Sequence, residues 1–272
     1  MARTVFFISD RTGITAETLG HSLLTQFENI EFHLVRMPYV DTRDKAERAV
    51  ALVDDNAARS ELRPIVFSTI IDDDLRAMVA SSQGLFLDFF DAFIGPLEQE
   101  LRTPSSHMVG RSHGLVDFSS YNARIEAVNF ALAHDDGLNT RHYGDAEVIL
   151  LGVSRSGKTP TCLYLALQFG IRAANYPLTE EDLEQLSLPK PLRPFRDTLF
   201  GLTIDPVRLQ QIRSQRRPES RYASMAQCEL EVHKIAQLYR SEGIRYLNTT
   251  SRSIEEIATT ILAETGLEGH HF

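Results

Sequence analysis

Cysteine is nearly missing from this chain. Its 272 residues carry two, Cys162 and Cys228, with no spacing of the metal-binding or redox kind. Cys162 falls inside an apolar helical pattern and reads as a buried, inert thiol. Long apolar runs are missing too: none approaches the roughly 20 residues of a membrane span. The apolar part of residues 1–10 is too short for a secretory signal and reads as a strand. There is no long block of one charge sign, no low-complexity tract and no internal repeat, so no disordered tail is indicated. The formal net charge of −9 argues against a nucleic-acid or anionic-membrane surface, since such binding relies on cationic side chains. These absences leave a soluble protein with the cytoplasm as its expected compartment. Hydrophobic residues at 43% and charged residues at 24% fit an ordinary core. The length allows one large domain or two ordinary ones.

What the chain does have is Gly152, Val153, Ser154, Arg155, Ser156, Gly157, Lys158 and Thr159 in a row. This fits G-x-x-x-x-G-K-[ST], a loop whose backbone N–H groups wrap the phosphates of a nucleotide. Residues 146–151 (AEVILL) before it read as a buried strand. Residues 159–169 after it read as a helix closed by Gly170. That order is what the physics requires, because the positive end of the helix must face the anion. Pro160 sits in the first turn, where a missing N–H costs nothing. Lys158 is then expected to reach the outer phosphates, and the Thr159 hydroxyl to take a Mg²⁺ position.

Around the loop the chain alternates strands and helices, which implies parallel sheets covered on both faces. Strands are expected at 5–9, 32–37, 64–70 and 84–90. Helices are expected at 16–27, with Ala16, Leu19, Leu23 and Phe27 on the buried face, at 41–53 capped by Asp41, and after Asp72. Residues 1–103 thus form a Rossmann-like α/β unit. Residues 104–145 read as a linker and helix (121–133). Residues 146–272 read as a P-loop kinase-like domain with further strands at 171–176, 198–204 and 244–248. Its helices are expected at 179–186, from Asp205 to about 214, at 224–241, and from a capping box at Ser253 onward.

Other residues bear on chemistry. Asp205 ends an apolar strand, where a nucleotide-binding sheet carries an acidic metal-holding or base residue; before Pro206 it also reads as an ordinary N-cap. Arg208, Arg213, Arg216, Arg217 and Arg221 crowd one region, as a closing lid over phosphoryl oxygens or as a solvated helix face. Asp10, Arg11, Thr12 and Gly13 occupy the first strand-to-helix turn, where α/β sheets bind ligands, although a plain turn accounts for them. His107, His113, His134 and His142 show no ligand spacing. The run His134, Asp135, Asp136 reads as a solvated helix end that also suits Mg²⁺.

With these residues laid out, the chain resembles the bacterial phosphoenolpyruvate synthase regulatory proteins, kin to the pyruvate, phosphate dikinase regulatory proteins. The likeness runs through residues 7–16 (FISDRTGITA), 133–137 (AHDDG), 151–161 (LGVSRSGKTPT), 169–177 (FGIRAANYP) and 199–206 (LFGLTIDP). It implies a bifunctional serine/threonine kinase and pyrophosphorylase. One activity uses ADP to phosphorylate a threonine of the synthase, inactivating it and leaving AMP. The other uses inorganic phosphate to remove that group as pyrophosphate. The Gly157–Lys158 pair and residues 172–176 are more similar to the synthase branch than to the dikinase branch. From the residues alone, a small-molecule P-loop kinase and a non-catalytic nucleotide-binding module stay open. Oligomeric state stays open too, a homodimer included.

Overall fold

The computed structural model describes residues 2–106, 118–137 and 139–269. The loop-rich segment around His107 and His113 lies outside the described residues. The chain divides into two compact units, Met1–Gly114 and Leu115–Phe272.

The first unit runs β1 (Arg3–Ile8), α1 (Ile14–Leu24), β2 (Phe32–Met37), α2 (Arg43–Arg59), β3 (Ile65–Ser68), α3 (Asp73–Ala80), β4 (Leu85–Asp88) and α4 (Phe89–Leu101). Its strands pair in parallel in the order β2-β1-β3-β4. Alternate residues of β1 feed two cores, as a central parallel strand covered on both faces must. Phe6 and Ile8 pack with Ala46, Ala49 and Val53 of α2. Val5 and Phe7 pack with Ala16 and Leu24 of α1, and with Phe67 and Phe89.

Three local expectations are corrected here. Helix α1 buries Ala16, Gly20 and Leu24, whereas Leu19, Leu23 and Phe27 are 44%, 49% and 58% exposed. The reason is how close the helix comes to the sheet. A Cβ built on Gly20 would stand 2.5 Å from a Phe7 ring carbon and 2.8 Å from one of Phe67. At that level of the helix only a residue without a side chain fits against those rings. Helix α2 is not capped by Asp41, whose carboxylate takes the Lys45 ammonium at 2.6 Å; the helix starts after Thr42. The fourth strand stops at Asp88. That carboxylate accepts from the N–H groups of Phe90 and Asp91 at 2.9 and 2.8 Å and so opens α4, which continues to Leu101.

The second unit runs α5 (Phe118–Ala133), β5 (Val148–Gly152), α6 (Lys158–Phe169), β6 (Ala173–Pro177), α7 (Glu180–Gln185), β7 (Leu199–Thr203), α8 (Pro206–Arg216), α9 (Met225–Glu242), β8 (Tyr246–Asn248) and α10 (Ile254–Thr265). The order β6-β5-β7-β8 is again parallel throughout, and all five residues of β5 are buried. Val148 and Leu150 face a core shared with α5, α6 and α10; Ile149 and Leu151 face one shared with α8 and α9. Helix α5, read from sequence as part of a linker, places Ala127 and Ala131 in the first of these cores.

Counted from its own first strand, each unit therefore has the strand order 2-1-3-4. Their first strand-to-helix turns also correspond. Arg11, Thr12, Gly13, Ile14 and Thr15 match Arg155, Ser156, Gly157, Lys158 and Thr159, and both glycines are left-handed N-caps, at φ 77° and 95°. The identity between the turns is too short to register as a sequence repeat.

Candidate functional site

In a 2-1-3-4 sheet the strand order reverses beside the first strand, and the crevice beyond its carboxyl end is where ligands bind. In the second unit that place is the end of β5, and residues 152–157 leave from it. Arg155 is left-handed at φ 78° and so is Gly157 at φ 95°, which turns the chain sharply into α6. At Gly157 any side chain would be strained by that φ. Helix α6 has twelve residues, so its N-terminal N–H groups carry a full helix-end field. A cavity of about 270 Å³ opens there, lined among others by Arg155, Lys158, Thr159 and Asp136.

Lys158 is buried, 4% exposed, and its Nζ donates to the Val153 carbonyl at 3.0 Å. Burial pulls its pKa from the ordinary 10.5 down to about 8, against the opposing charges of Asp136 and Asp135. An anionic phosphate beside it reverses that depression. The same burial pushes the Cys162 thiol up, and its Sγ only touches the Ala174 carbonyl at 3.5 Å, so this cysteine is inert packing.

The Thr159 hydroxyl donates to Asp135 Oδ1 at 2.8 Å, and the side-chain amide of buried Asn175 donates to the same oxygen. The side-chain Oδ1 of Asn175 accepts from the Asp136 N–H at 3.1 Å. Asn175 on β6 thus clamps the turn after α5 against the start of α6. Asp136, in the left-handed region at φ 49°, reaches the cavity wall. From sequence the 134–136 run reads as a helix end that also suits Mg²⁺. Nothing local marks it, because its partners lie 24 and 40 positions further on. His134 is buried, with Nδ1 2.7 Å from the Phe130 carbonyl and its ring stacked on Phe130. Among the described residues no group of three or more His, Cys, Asp or Glu is arranged to hold a metal, His142 included.

Asp205 takes up the capping position. Its Oδ1 accepts from the N–H groups of Val207 and Arg208 at 2.9 and 3.2 Å, and it does not line the loop cavity. The arginines after it divide. Arg208 is exposed and reaches Gln211, while Arg221 pairs with Glu180 at 3.3 Å. Arg213 is fully buried and pairs with Glu231 at 2.7 Å. It also donates to the Ser154 carbonyl at 3.1 Å and the Tyr222 carbonyl at 3.0 Å, with its guanidinium 4.1 Å from the Tyr222 ring centre. Arg213 is therefore a strut under the loop, unavailable to close over a ligand. Arg216 and Arg217 remain at the surface beside Tyr222 and Arg155.

In the first unit the corresponding turn keeps an arginine, Arg11, but lacks the lysine: Ile14 stands where Lys158 does, and Asp10 is a buried carboxylate tied to the Ile71 N–H at 3.1 Å. Burial raises the Asp10 pKa. Its bond joins the ends of β1 and β3, which makes this a structural turn.

A lysine-bearing glycine loop thus stands at the switch point of a parallel sheet, with a hydroxyl–carboxylate pair beside it. The chain belongs to the kinase/pyrophosphorylase family, whose model matches residues 5–262. It is similar over nearly its whole length to curated bacterial proteins that carry the name "Putative phosphoenolpyruvate synthase regulatory protein". It is 58% identical over 268 residues to that of Pseudomonas aeruginosa (strain LESB58), covering 98% of both chains. Identity is 59% over 266 residues with that of Alkalilimnicola ehrlichii, covering 98% of this chain and 97% of the relative. With that of Hahella chejuensis it is 54% over 270 residues, covering 99% of each. Among the described residues no helix is long and apolar enough to cross a membrane.

Proposed function

We propose that this protein is a two-way switch on a phosphoenolpyruvate synthase. In one direction a threonine hydroxyl of the synthase attacks the β-phosphorus of ADP. A new P–O bond forms, the bond to the bridging oxygen breaks, AMP leaves, and the threonine proton passes to a carboxylate. In the other direction an oxygen of inorganic phosphate attacks the phosphothreonine. Pyrophosphate forms, and the threonine oxygen departs and takes up a proton.

The observation that carries this reading is the loop geometry of a kinase/pyrophosphorylase family member. A cradle shaped for the two phosphates of ADP is also shaped for pyrophosphate. Lys158 and the N-terminal N–H groups of α6 neutralise charge on the transferring group in both directions. Thr159 Oγ1 and Asp135 Oδ1, 2.8 Å apart, are hard oxygen donors that fit Mg²⁺. When bound there the ion supplies charge neutralisation between phosphates. Asp136 lines the same cavity and is the carboxylate we assign to the proton. Asp205, our expectation from sequence for that role, already accepts from two backbone N–H groups.

The test is incubation of the purified synthase with this protein, ADP and Mg²⁺, followed by mass spectrometry of the synthase. Phosphate on one of its threonines, with AMP produced in equal amount, is the expected result. ADP binding without transfer would reduce the protein to a nucleotide-sensing module. In the reverse assay ADP should compete with inorganic phosphate, and purely non-competitive inhibition would mean two separate cradles.

A further inference from the structure

Most arginines whose partners are known in this protein face a carboxylate. Arg36, Arg43, Arg48, Arg59, Arg76, Arg172 and Arg196 each form an ion pair, as do Arg213 and Arg221 close to the loop. Others, such as Arg63, Arg193 and Arg245, reach backbone carbonyls, and Arg155, Arg216 and Arg217 stand apart by sharing one space. Among the described residues none of them is ion-paired, and all three line one cavity of about 380 Å³ together with Ser154 and Tyr222. No carboxylate lines it, in a chain whose net charge is −9. Ser154 and Arg155 are also part of the wall of the loop cavity, so the two spaces adjoin.

The wall between them is held in place from beneath. The Ser154 hydroxyl is 2.8 Å from the Tyr222 hydroxyl, and the Ser154 carbonyl takes the Arg213 guanidinium at 3.1 Å. Arg155 is kept in a left-handed conformation that non-glycine residues rarely adopt, which points to a functional constraint on the loop. The field at the carboxyl end of α8 would favour Arg216 and Arg217 there without any ligand. It does not account for Arg155, which comes from a different element, or for the lack of any acidic partner.

We propose that this cavity is a second anion subsite, which takes the dianionic phosphate monoester of a phosphorylated side chain on the protein substrate. The inference rests on the two-way transfer proposed above and identifies where the second reactant sits. A phosphoprotein that docks before transfer brings a dianion of its own, and Arg155, Arg216 and Arg217 supply cationic charge for it beside the loop. Guanidinium forks grip phosphate oxygens in pairs and keep their charge at any working pH. Arg216 and Arg217 are exposed, so a phosphate carried on another chain can approach from solvent, while inorganic phosphate needs only the loop.

The test uses the full-length protein with its loop saturated by ADP and Mg²⁺. Calorimetry measures binding of a short phosphothreonine peptide, its unphosphorylated counterpart, and inorganic phosphate. The phosphopeptide should bind and the unphosphorylated peptide should not. The double variant R216Q/R217Q should weaken the phosphopeptide by at least about tenfold while keeping ADP affinity within about threefold. Equal affinity for inorganic phosphate and phosphopeptide would overturn the monoester assignment in favour of a free-phosphate site. No phosphopeptide binding to the ADP-saturated protein, or unchanged binding by the double variant, would overturn the subsite. Transfer to the synthase is scored separately. Transfer without arginine-dependent binding removes the subsite alone, and arginine-dependent binding without transfer removes the proposed function.

Discussion

Replacing Lys158 by methionine should make the protein more stable. The lysine is 4% exposed, and burial lowers its pKa from 10.5 to about 8. A folded-state pKa below the unfolded one means that the unfolded chain holds the proton more tightly. The penalty is therefore full below pH 8 and is relieved as pH rises toward 10.5. At about 1.36 kcal/mol per unit, it amounts to roughly 3 kcal/mol at pH 7. Methionine has nearly the same length and loses the bond to the Val153 carbonyl, which contributes about 1–2 kcal/mol. A net gain of about 1–2 kcal/mol at pH 7 follows. The gain should shrink by roughly 1 kcal/mol between pH 7 and pH 9, as the wild type sheds its proton. Urea unfolding followed by tyrosine fluorescence is a suitable assay, because seven of the eight tyrosines lie in the second unit. A variant less stable than wild type at pH 7, or a difference unchanged between the two pH values, would refute the reasoning. Loss of phosphate binding alongside the gain would show that Lys158 is kept for function at a cost in stability.

Affinity for ADP should fall about tenfold between pH 7 and pH 9, since phosphate binding needs Lys158 charged; calorimetry in buffers of different ionisation enthalpy would show the accompanying proton uptake. Arg213→Ala leaves Glu231 without its buried partner and frees the Ser154 carbonyl, and should cost about 3–5 kcal/mol in urea unfolding. Asp135→Ala strips the acceptor from both the Thr159 hydroxyl and the Asn175 amide and should cost about 1–3 kcal/mol, with a weaker Mg²⁺ dependence of nucleotide binding in titrations. Gly20→Ala drives a methyl into the Phe7 and Phe67 rings and should destabilise the first unit by about 1–3 kcal/mol, seen as faster hydrogen exchange in β1 and β3 with the second unit unchanged.

Much of the local structure was legible in the residues. The buried run before Gly152, the stop at Gly170, the helix start at Thr179 and the capping box at Ser253 depend on neighbours within a few positions, and each is where the pattern placed it. Helix α1 turns a different stripe to the sheet than its leucines suggest, because periodicity alone does not say which stripe can approach closely. The choice was made by the Phe7 and Phe67 rings in other strands. The acidic part of the site escaped for the same kind of reason. Asp135 is defined by Thr159 and Asn175, and Asp205 satisfies backbone N–H groups in its own helix.

By itself, then, the sequence determined the glycine loop of residues 152–159, its strand-loop-helix setting and the alternating α/β frame. All of these are written in short-range chemistry: glycine where φ is positive, apolar residues in period, a lysine at a helix start. Tertiary structure alone decided which charged groups serve that loop. Arg213 went beneath it because Glu231, 18 residues on, pairs with it in the core. Asp136 came to its wall because Asn175 on a neighbouring strand holds the turn. The shared 2-1-3-4 order of the two units, with a lysine at the first turn of only one of them, likewise became visible only when strands far apart in sequence were paired.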